Sequence, residues 1–327
     1  MEPTRNPRVA LLQTRWREDP EENLRRAKEM LESIEEGTHL AVLPEFFLGP
    51  PFYFPGRQHL QGVIDHPVPD PIFDELGDIA RRKGCWIVCG SVIERTDDGY
   101  YNTAVVLDDR GEIVTKVRKA HLFSAEFVAL RPGDEAVVLD TPFGKLGVCV
   151  CSDFWIQEMP RLLALKGAEL IAIPAAALRN NLAVTKPCVL STAVLNAVNV
   201  LYVGGVGAVS GIRGGRTVTI DIAGHSAVAG PEGIVAELDE EEAVLYADLD
   251  LDRLAQLREI DFTFQKTLYF GLHGRRPELY EPLLKHAEGV SDLGPVLADY
   301  FRRRLAESFD SAADRGGAGA EQDRTTT

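Results

Sequence analysis

The stretch KLGVCVCSDFW, residues 145–155, decides how the chain is read. Lys145–Val150 reads as a strand that ends at Cys151, and the polar pair Ser152-Asp153 begins a turn into a helical pattern from about Ile156 to Leu165. Strand, tight turn, helix is half of an α/β unit. A side chain at such a turn is held exposed at the sheet's edge, and the backbone N–H groups that begin there can bind negative charge. Cys149 lies two residues earlier, inside the strand, where a cysteine is a small buried hydrophobe.

The same alternation continues on both sides. Strands are expected at Arg8–Thr14, His39–Leu43, Cys85–Ser91 and Leu170–Ile173, and near 200–206, 216–222, 226–229, 234–238 and 243–249. Tyr101–Leu107 and Glu112–Val117 form a hairpin across Asp108-Asp109-Arg110-Gly111. Helices are expected from Pro20 to about Ile34, over Pro71–Lys83 with Gly84 closing it, and over Lys186–Val198. Short strands with helices between them make an α/β protein with a mixed sheet or two sheets. The domain organisation expected is a main domain over 1–288, a helical arm over 289–309 and a disordered tail over 310–327, where apolar residues other than alanine run out.

Composition narrows the function. Of 327 residues 45% are hydrophobic, ample for a core, and 35 Lys and Arg against 50 Asp and Glu give a formal charge of -15. That charge repels phosphate backbones and anionic lipid, so neither nucleic acid nor membrane is an expected partner. The N-terminus lacks an apolar signal segment, and the apolar run Ala197–Val209 is too short to span a bilayer, so a cytoplasmic protein is expected. Five cysteines, an odd number in a long chain, are not a disulfide framework. Cys149 and Cys151 without a neighbouring Cys or His cluster are a poor zinc site, so no metal or other cofactor is expected.

Three places break the local pattern. Glu45, in AVLPEFF, is an acid directly after a buried strand and among aromatic residues. Burial there raises a carboxyl pKa and suits a general base. In KVRKAHLF, Lys116, Arg118 and Lys119 are interspersed with apolar residues, and the pattern alone does not say which of them points inward. Cys151 closes the third strand, where a helix start and a nearby lysine would favour the thiolate.

Glu, Lys and Cys, in that order and each after a strand, resemble the nitrilase superfamily of carbon–nitrogen hydrolases. The resemblance covers roughly residues 7 to 285. Its motifs stand here as Pro44-Glu45, as Arg118-Lys119-Ala120-His121-Leu122, and as Gly147 through Cys151 with Ser152-Asp153 and Glu158. Glu126 before Pro132-Gly133, Gly224 and Ser226 with Pro231 and Gly233, and Arg275 through Tyr280 also match. Three family features are altered: Gln157-Glu158 replaces a P-E, Leu195-Asn196 replaces an E-N, and Gly204-Gly205-Val206-Gly207 replaces an A-x-N-R-x-G pocket stretch.

The resemblance implies a four-layer αββα sandwich in which helices cover the outer faces of two facing sheets. It implies a homodimer or higher homo-oligomer built through the helix after the nucleophile. It also implies roles. Cys151 is the nucleophile and Glu45 the proton shuttle. Lys119 and the backbone N–H of Ser152 hold the oxyanion, and Glu126 bonds Lys119 or the substrate. Expected pocket residues are Phe46, Phe52, Tyr53, Phe154, Trp155 and Asn196. The sequence Cys151-Ser152-Asp153 resembles the amidase and N-carbamoylase branches more than C-W-E nitrilases. The expected reaction is therefore hydrolysis of a small amide or ureide through a thioester. Nitrile hydrolysis, a soluble acyltransferase and a catalytically degenerate member are the alternatives.

Overall fold

The computed structural model describes residues 1–49, 65–124, 126–213, 216–263 and 265–284, with positions 295, 296, 299, 300 and 303 beyond them. Phe52 and Tyr53, most of the expected arm at 289–309 and all of 310–327 lie outside the described residues. In chain order the elements of the first part are β1 (Arg8–Gln13), α1 (Pro20–Glu32), β2 (Leu40–Val42), β3 (Asp65–His66), α2 (Pro71–Lys83), β4 (Trp86–Val88), β5 (Val92–Thr96), β6 (Gly99–Leu107), β7 (Ile113–Arg118) and α3 (Glu126–Ala129). The second part has β8 (Val137–Thr141), β9 (Gly144–Val148), a 3-10 turn at Cys151–Trp155, α4 (Glu158–Leu165), β10 (Leu170–Ala175), α5 (Leu182–Asn196), β11 (Asn199–Gly204), β12 (Val206–Arg213), β13 (Arg216–Ala223), β14 (Ala227–Gly230), β15 (Gly233–Glu237), β16 (Ala243–Asp248), α6 (Leu251–Arg258) and α7 (Phe270–His273).

Two mixed sheets result. The first runs β16-β1-β2-β4-β6-β5-β3, with β7 also paired to β6, and the second runs β15-β14-β11-β10-β9-β8. β12 and β13 form a separate ribbon. Strand alternation assigns the first sheet's residues to two layers. Val9, Leu11, Leu40, Val42, Val88, Ala104, Val106 and Val117 pack into the core shared with the second sheet. Their neighbours Ala10, Leu12, Ala41, Ile87 and Val105 pack instead with Ala27, Met30 and Leu31 of α1 and Phe73, Leu76 and Ile79 of α2. On the second sheet, α4 and α5 bring Met159, Leu163, Val189 and Ala193 to the core. The architecture is the four-layer αββα sandwich, and each fully buried Leu, Ile or Val contributes about 1.5–3 kcal/mol to holding it.

Local sequence explains the helix ends. Asp19 and Asp70 each accept a backbone N–H at the start of α1 and α2, with Pro20 and Pro71 in the first turn. Gly84 closes α2 at φ 62°.

Four local expectations change. The strand expected at Cys85–Ser91 ends at Val88, and a bulge through Gly90 carries the chain on in the same direction into β5, both strands lying antiparallel to β6. A Cβ on Gly90 would stand 2.0 Å from the Pro44 carbonyl oxygen, so only glycine permits this approach beside Glu45. The helix after Cys151 starts at Glu158 rather than near Ile156, because a 3-10 turn intervenes. α5 begins earlier than expected, at Leu182, and takes Pro187 inside. β8 and β12 were not expected: β8 is mostly half-buried and β12 glycine-interrupted, so their apolar alternation is weak. Among the described residues no helix is long and apolar enough to cross a membrane.

Candidate active site

β9 and β10 run parallel in the second sheet, β2 runs parallel to β1 in the first, and residues that follow β2, β9 and β10 line one pocket, beyond strand ends where α/β sheets commonly bind ligands. Glu45 follows β2, Cys151 follows β9 and Ala176 follows β10. Lys119 follows β7, and strand alternation settles which cation points inward. Val117 faces the second sheet, so Lys119 does too. Lys116 and Arg118 face away and pair with the buried carboxylate of Glu94.

The backbone fixes the Lys119 segment on both sides. Its N–H donates to the Asn102 carbonyl at 2.8 Å, and its carbonyl accepts the Gly133 N–H at 2.7 Å. The turn that carries Cys151 is tied to the same segment. Asp153 accepts the N–H of Ala120 and of His121 on one oxygen and the N–H of Val150 on the other. The Ser152 hydroxyl donates to the His121 carbonyl at 2.6 Å. Cys151 itself adopts φ 47°, a left-handed conformation that costs a non-glycine residue about 1–3 kcal/mol.

Glu45, Lys119 and Glu126 are all at most 2% exposed, and Cys151 is 9% exposed. Lys119 Nζ donates to Glu45 Oε1 at 2.9 Å and to Glu126 Oε1 at 3.0 Å. Glu45 Oε2 accepts the Ala176 N–H at 3.0 Å, and Glu126 Oε2 accepts the Phe123 N–H at 2.7 Å. Asn102, fully buried on β6, donates from Nδ2 to Glu45 Oε1 at 2.8 Å and to Glu126 Oε1 at 2.9 Å. Glu45, Lys119, Glu126 and Cys151 meet at one pocket, which contains about 490 Å³ of space including its open mouth.

Charge and burial act on each group. Burial and the neighbouring Glu45 push the Cys151 thiol up more than Lys119 and the Ala176 N–H pull it down, so the thiol form is favoured. Burial pushes Lys119 down, but Glu126, Glu45 and Cys151 outweigh it and raise its pKa well above the usual lysine value. Burial and Glu45 raise Glu126 against the pull of Lys119. The site therefore holds an ammonium, two carboxyl groups and a thiol that needs a base to lose its proton.

Of the expected residues, Glu45, Lys119, Glu126, Cys151, Phe46 and Trp155 line this pocket; Ser152, next to Cys151 in the chain, is buried and is not among its lining residues. Phe154 and Asn196 do not line it. The Phe154 ring packs 5.6 Å from the Tyr202 ring in the core, because the 3-10 turn rotates it away from Trp155's side. Asn196 is buried at the end of α5 and donates back to the Thr192 carbonyl. Sequence reasoning missed Asn102, although an asparagine inside the apolar run YYNTAVVL was a usable signal. It also missed Trp16, Phe123, Leu178, Asn181 and Ile220, which complete the pocket from separate segments. Among the described residues no group of three or more His, Cys, Asp or Glu could hold a metal ion.

Comparison with known proteins shows the family. The sequence profile described as carbon-nitrogen hydrolase matches residues 8–259. The chain is 30% identical to an omega-amidase NIT2 of Xenopus tropicalis over 251 residues, covering 73% of this chain and 86% of that protein. It is 32% identical to a nitrilase of Pyrococcus abyssi over 253 residues, covering 76% and 91%. Among solved structures, an amidase from Nesterenkonia sp. AN1 superposes with a TM-score of 0.68 at 26% identity, covering 86% of this chain and 98% of that one. In that structure the acetamide moiety of fluoroacetamide is covalently added at the active-site cysteine. Nit3 of Saccharomyces cerevisiae superposes with a TM-score of 0.66 at 30% identity, covering 80% and 97%.

Proposed function

Because the chain belongs to the carbon–nitrogen hydrolase family of the nitrilase superfamily, we propose that it hydrolyses the C–N bond of a small uncharged amide or N-carbamoyl compound through a thioester on Cys151. The observation that carries this reading is the position of Lys119 Nζ, held between two buried carboxylates in the pocket that Cys151 opens into.

The chemistry follows from the groups. Glu45 takes the Cys151 proton as sulfur attacks the carbonyl carbon. The oxyanion forms beside Lys119, whose three N–H donors are only partly used by the two carboxylates, and beside the Ser152 backbone N–H. One such donor is worth about 3–4 kcal/mol to the transition state. As the intermediate collapses, the C–N bond breaks and Glu45 returns its proton to the leaving nitrogen. Water then loses a proton to Glu45 and attacks the thioester. The acid departs and the thiol is restored. Glu126 keeps Lys119 aimed throughout.

The walls favour an apolar group on the substrate. Trp16, Phe46, Phe123, Trp155, Leu178 and Ile220 line the pocket, and among the described lining residues the charged ones are Glu45, Lys119 and Glu126. A carboxylate-bearing substrate would meet two carboxyl groups and one ammonium already engaged by both. Homodimerisation fits the apolar residues left exposed on the outer face: Ile156, Leu162 and Leu165 at α4, and Leu190 and Leu195 on α5.

The test is a screen of amides, N-carbamoyl compounds and nitriles for ammonia release, with Cys151→Ala as the blank. Release from amides or N-carbamoyl compounds that vanishes in the blank supports the reading. Turnover of nitriles alone, or turnover that survives in the blank, overturns it.

A further inference from the structure

The two carboxyl groups of the site are bridged twice. Lys119 Nζ reaches Oε1 of Glu45 at 2.9 Å and Oε1 of Glu126 at 3.0 Å. Asn102 Nδ2 reaches the same two oxygens at 2.8 and 2.9 Å. Both of the amide's N–H donors are thereby spent on carboxylates. Its other atom, Oδ1, is buried and without a hydrogen-bond partner. A buried carbonyl left unpaired is costly, and turning the amide over would set that oxygen against two acids. The orientation seen is the one in which the NH2 group serves the carboxyls and the oxygen goes without.

A role confined to the strand would not need this. Asn102 meets its backbone duties through its carbonyl, which accepts the Lys119 N–H at 2.8 Å, and through its register opposite Ile93. Its neighbours on the same face, Ala104 and Val106, are apolar. A polar side chain at the end of that row places a neutral double donor where two like charges converge.

We propose that Asn102 is a positioning residue that clamps the inner oxygens of Glu45 and Glu126 and so sets the pH at which the Cys151 thiol can be activated. By holding Glu45 Oε1 together with Lys119, it leaves Oε2, beside the Ala176 N–H, as the oxygen that exchanges the proton with sulfur. By donating to both carboxylates it favours their ionised forms without adding charge. The inference rests on the reading of Cys151 as nucleophile and Glu45 as base.

The test needs no substrate. The full chain is alkylated with iodoacetamide at a series of pH values, and the label on the peptide carrying Cys151 is followed by mass. Asn102→Leu keeps the shape and removes both donors. Asn102→Asp keeps the size and adds a third acid. Losing the donors makes the carboxyls harder to ionise, so the acid limb of the labelling rate should move to higher pH. The expected shift is about one unit, a tenfold change in the ionisation constant, in Asn102→Leu, and more in Asn102→Asp. Below the limb, labelling should slow about tenfold. Either variant, folded and with its limb where the wild type has it, overturns the proposal. Failure of both variants to fold also overturns it, by assigning Asn102 to stability alone. The underlying reading is checked separately in the wild type: label found on another cysteine and not on Cys151 would defeat that reading, whatever the Asn102 variants do.

Discussion

Asp153 accepts the His121 backbone N–H at 2.8 Å, which joins the turn that carries the thiol to the segment that carries the ammonium. The same carboxylate accepts the N–H groups of Ala120 and Val150. Removing it leaves three backbone donors short of a partner, at about 1–3 kcal/mol each where they are buried. Asp153→Ala is expected to lower unfolding stability by more than 2 kcal/mol in urea titration. Hydrolysis should fall further than the loss of folded protein accounts for, because Cys151 and Lys119 are no longer held in register. A variant with unchanged activity per folded molecule would show that the tie is dispensable.

Cys149 and Cys151 separate cleanly by position. Cys149 is fully buried in the core, with burial, Asp153 and Cys151 raising its thiol well above the usual value. Cys151 opens into the pocket. Cys151→Ala should abolish turnover and iodoacetamide labelling, while Cys149→Ala should retain both. The reverse pattern would move the nucleophile two residues back, to Cys149.

Gly90 sets how closely the chain passes Pro44. With φ 60° and a Cβ that would lie 2.0 Å from the Pro44 carbonyl oxygen, alanine cannot be accommodated without moving the segment that carries Glu45. Gly90→Ala should cost about 2 kcal/mol or more and depress kcat more than KM, read by denaturant melts and steady-state kinetics.

Glu94 contributes to the acid sensitivity of the fold. Burial pushes its carboxyl up, but hydrogen bonds from Arg118, Lys116 and Thr103 outweigh it and hold the pKa below the usual range. A lowered folded-state pKa contributes stability that is present above the unfolded value, about 4.3, and is lost as pH falls through the folded one. Glu94→Gln should therefore destabilise the protein at neutral pH by about 1–3 kcal/mol and flatten the loss of stability below about pH 4. Equal acid curves for the two proteins would refute this.

The outer apolar face makes a prediction about assembly. Leu162 on α4 and Leu195 on α5 are 44% and 52% exposed. Sedimentation at micromolar concentration should give at least a dimer, and Leu162→Glu should shift it toward monomer. A wild-type protein that sediments only as monomer would exclude the interface.

Much of the architecture was legible because local physics repeats along the chain. Asp-Pro starts and the closing Gly84 mark α1 and α2, and the hairpin of β6 and β7 follows from Asp108 through Gly111. β5, β8 and β12 were not legible: one continues past a bulge at Gly90 that a run of apolar residues conceals, and the others are weakly alternating. Glu45 and Cys151 stood out because acid and thiol interrupt apolar strands. Asn102 interrupts one too, yet an amide among apolar residues is ambiguous until its partners are known. Phe154 and Asn196 sit next to the right residues in sequence and point elsewhere, since the 3-10 turn and the end of α5 rotate them into the core.

By itself the sequence determined which segments become strands and helices and which chemical groups are available, because alternation, caps and residue type are properties of neighbours along the chain. Residue pattern alone left Lys116, Arg118 and Lys119 open and the family resemblance singled out Lys119; the tertiary structure supplies the reason it faces Glu45, and it alone decided that Asn102 joins Glu45 to Glu126. Alternation says that adjacent side chains take opposite faces, not which face meets the second sheet. That choice is made when β7 pairs with β6 and the two sheets close over one core, and it depends on contacts between residues far apart in the chain.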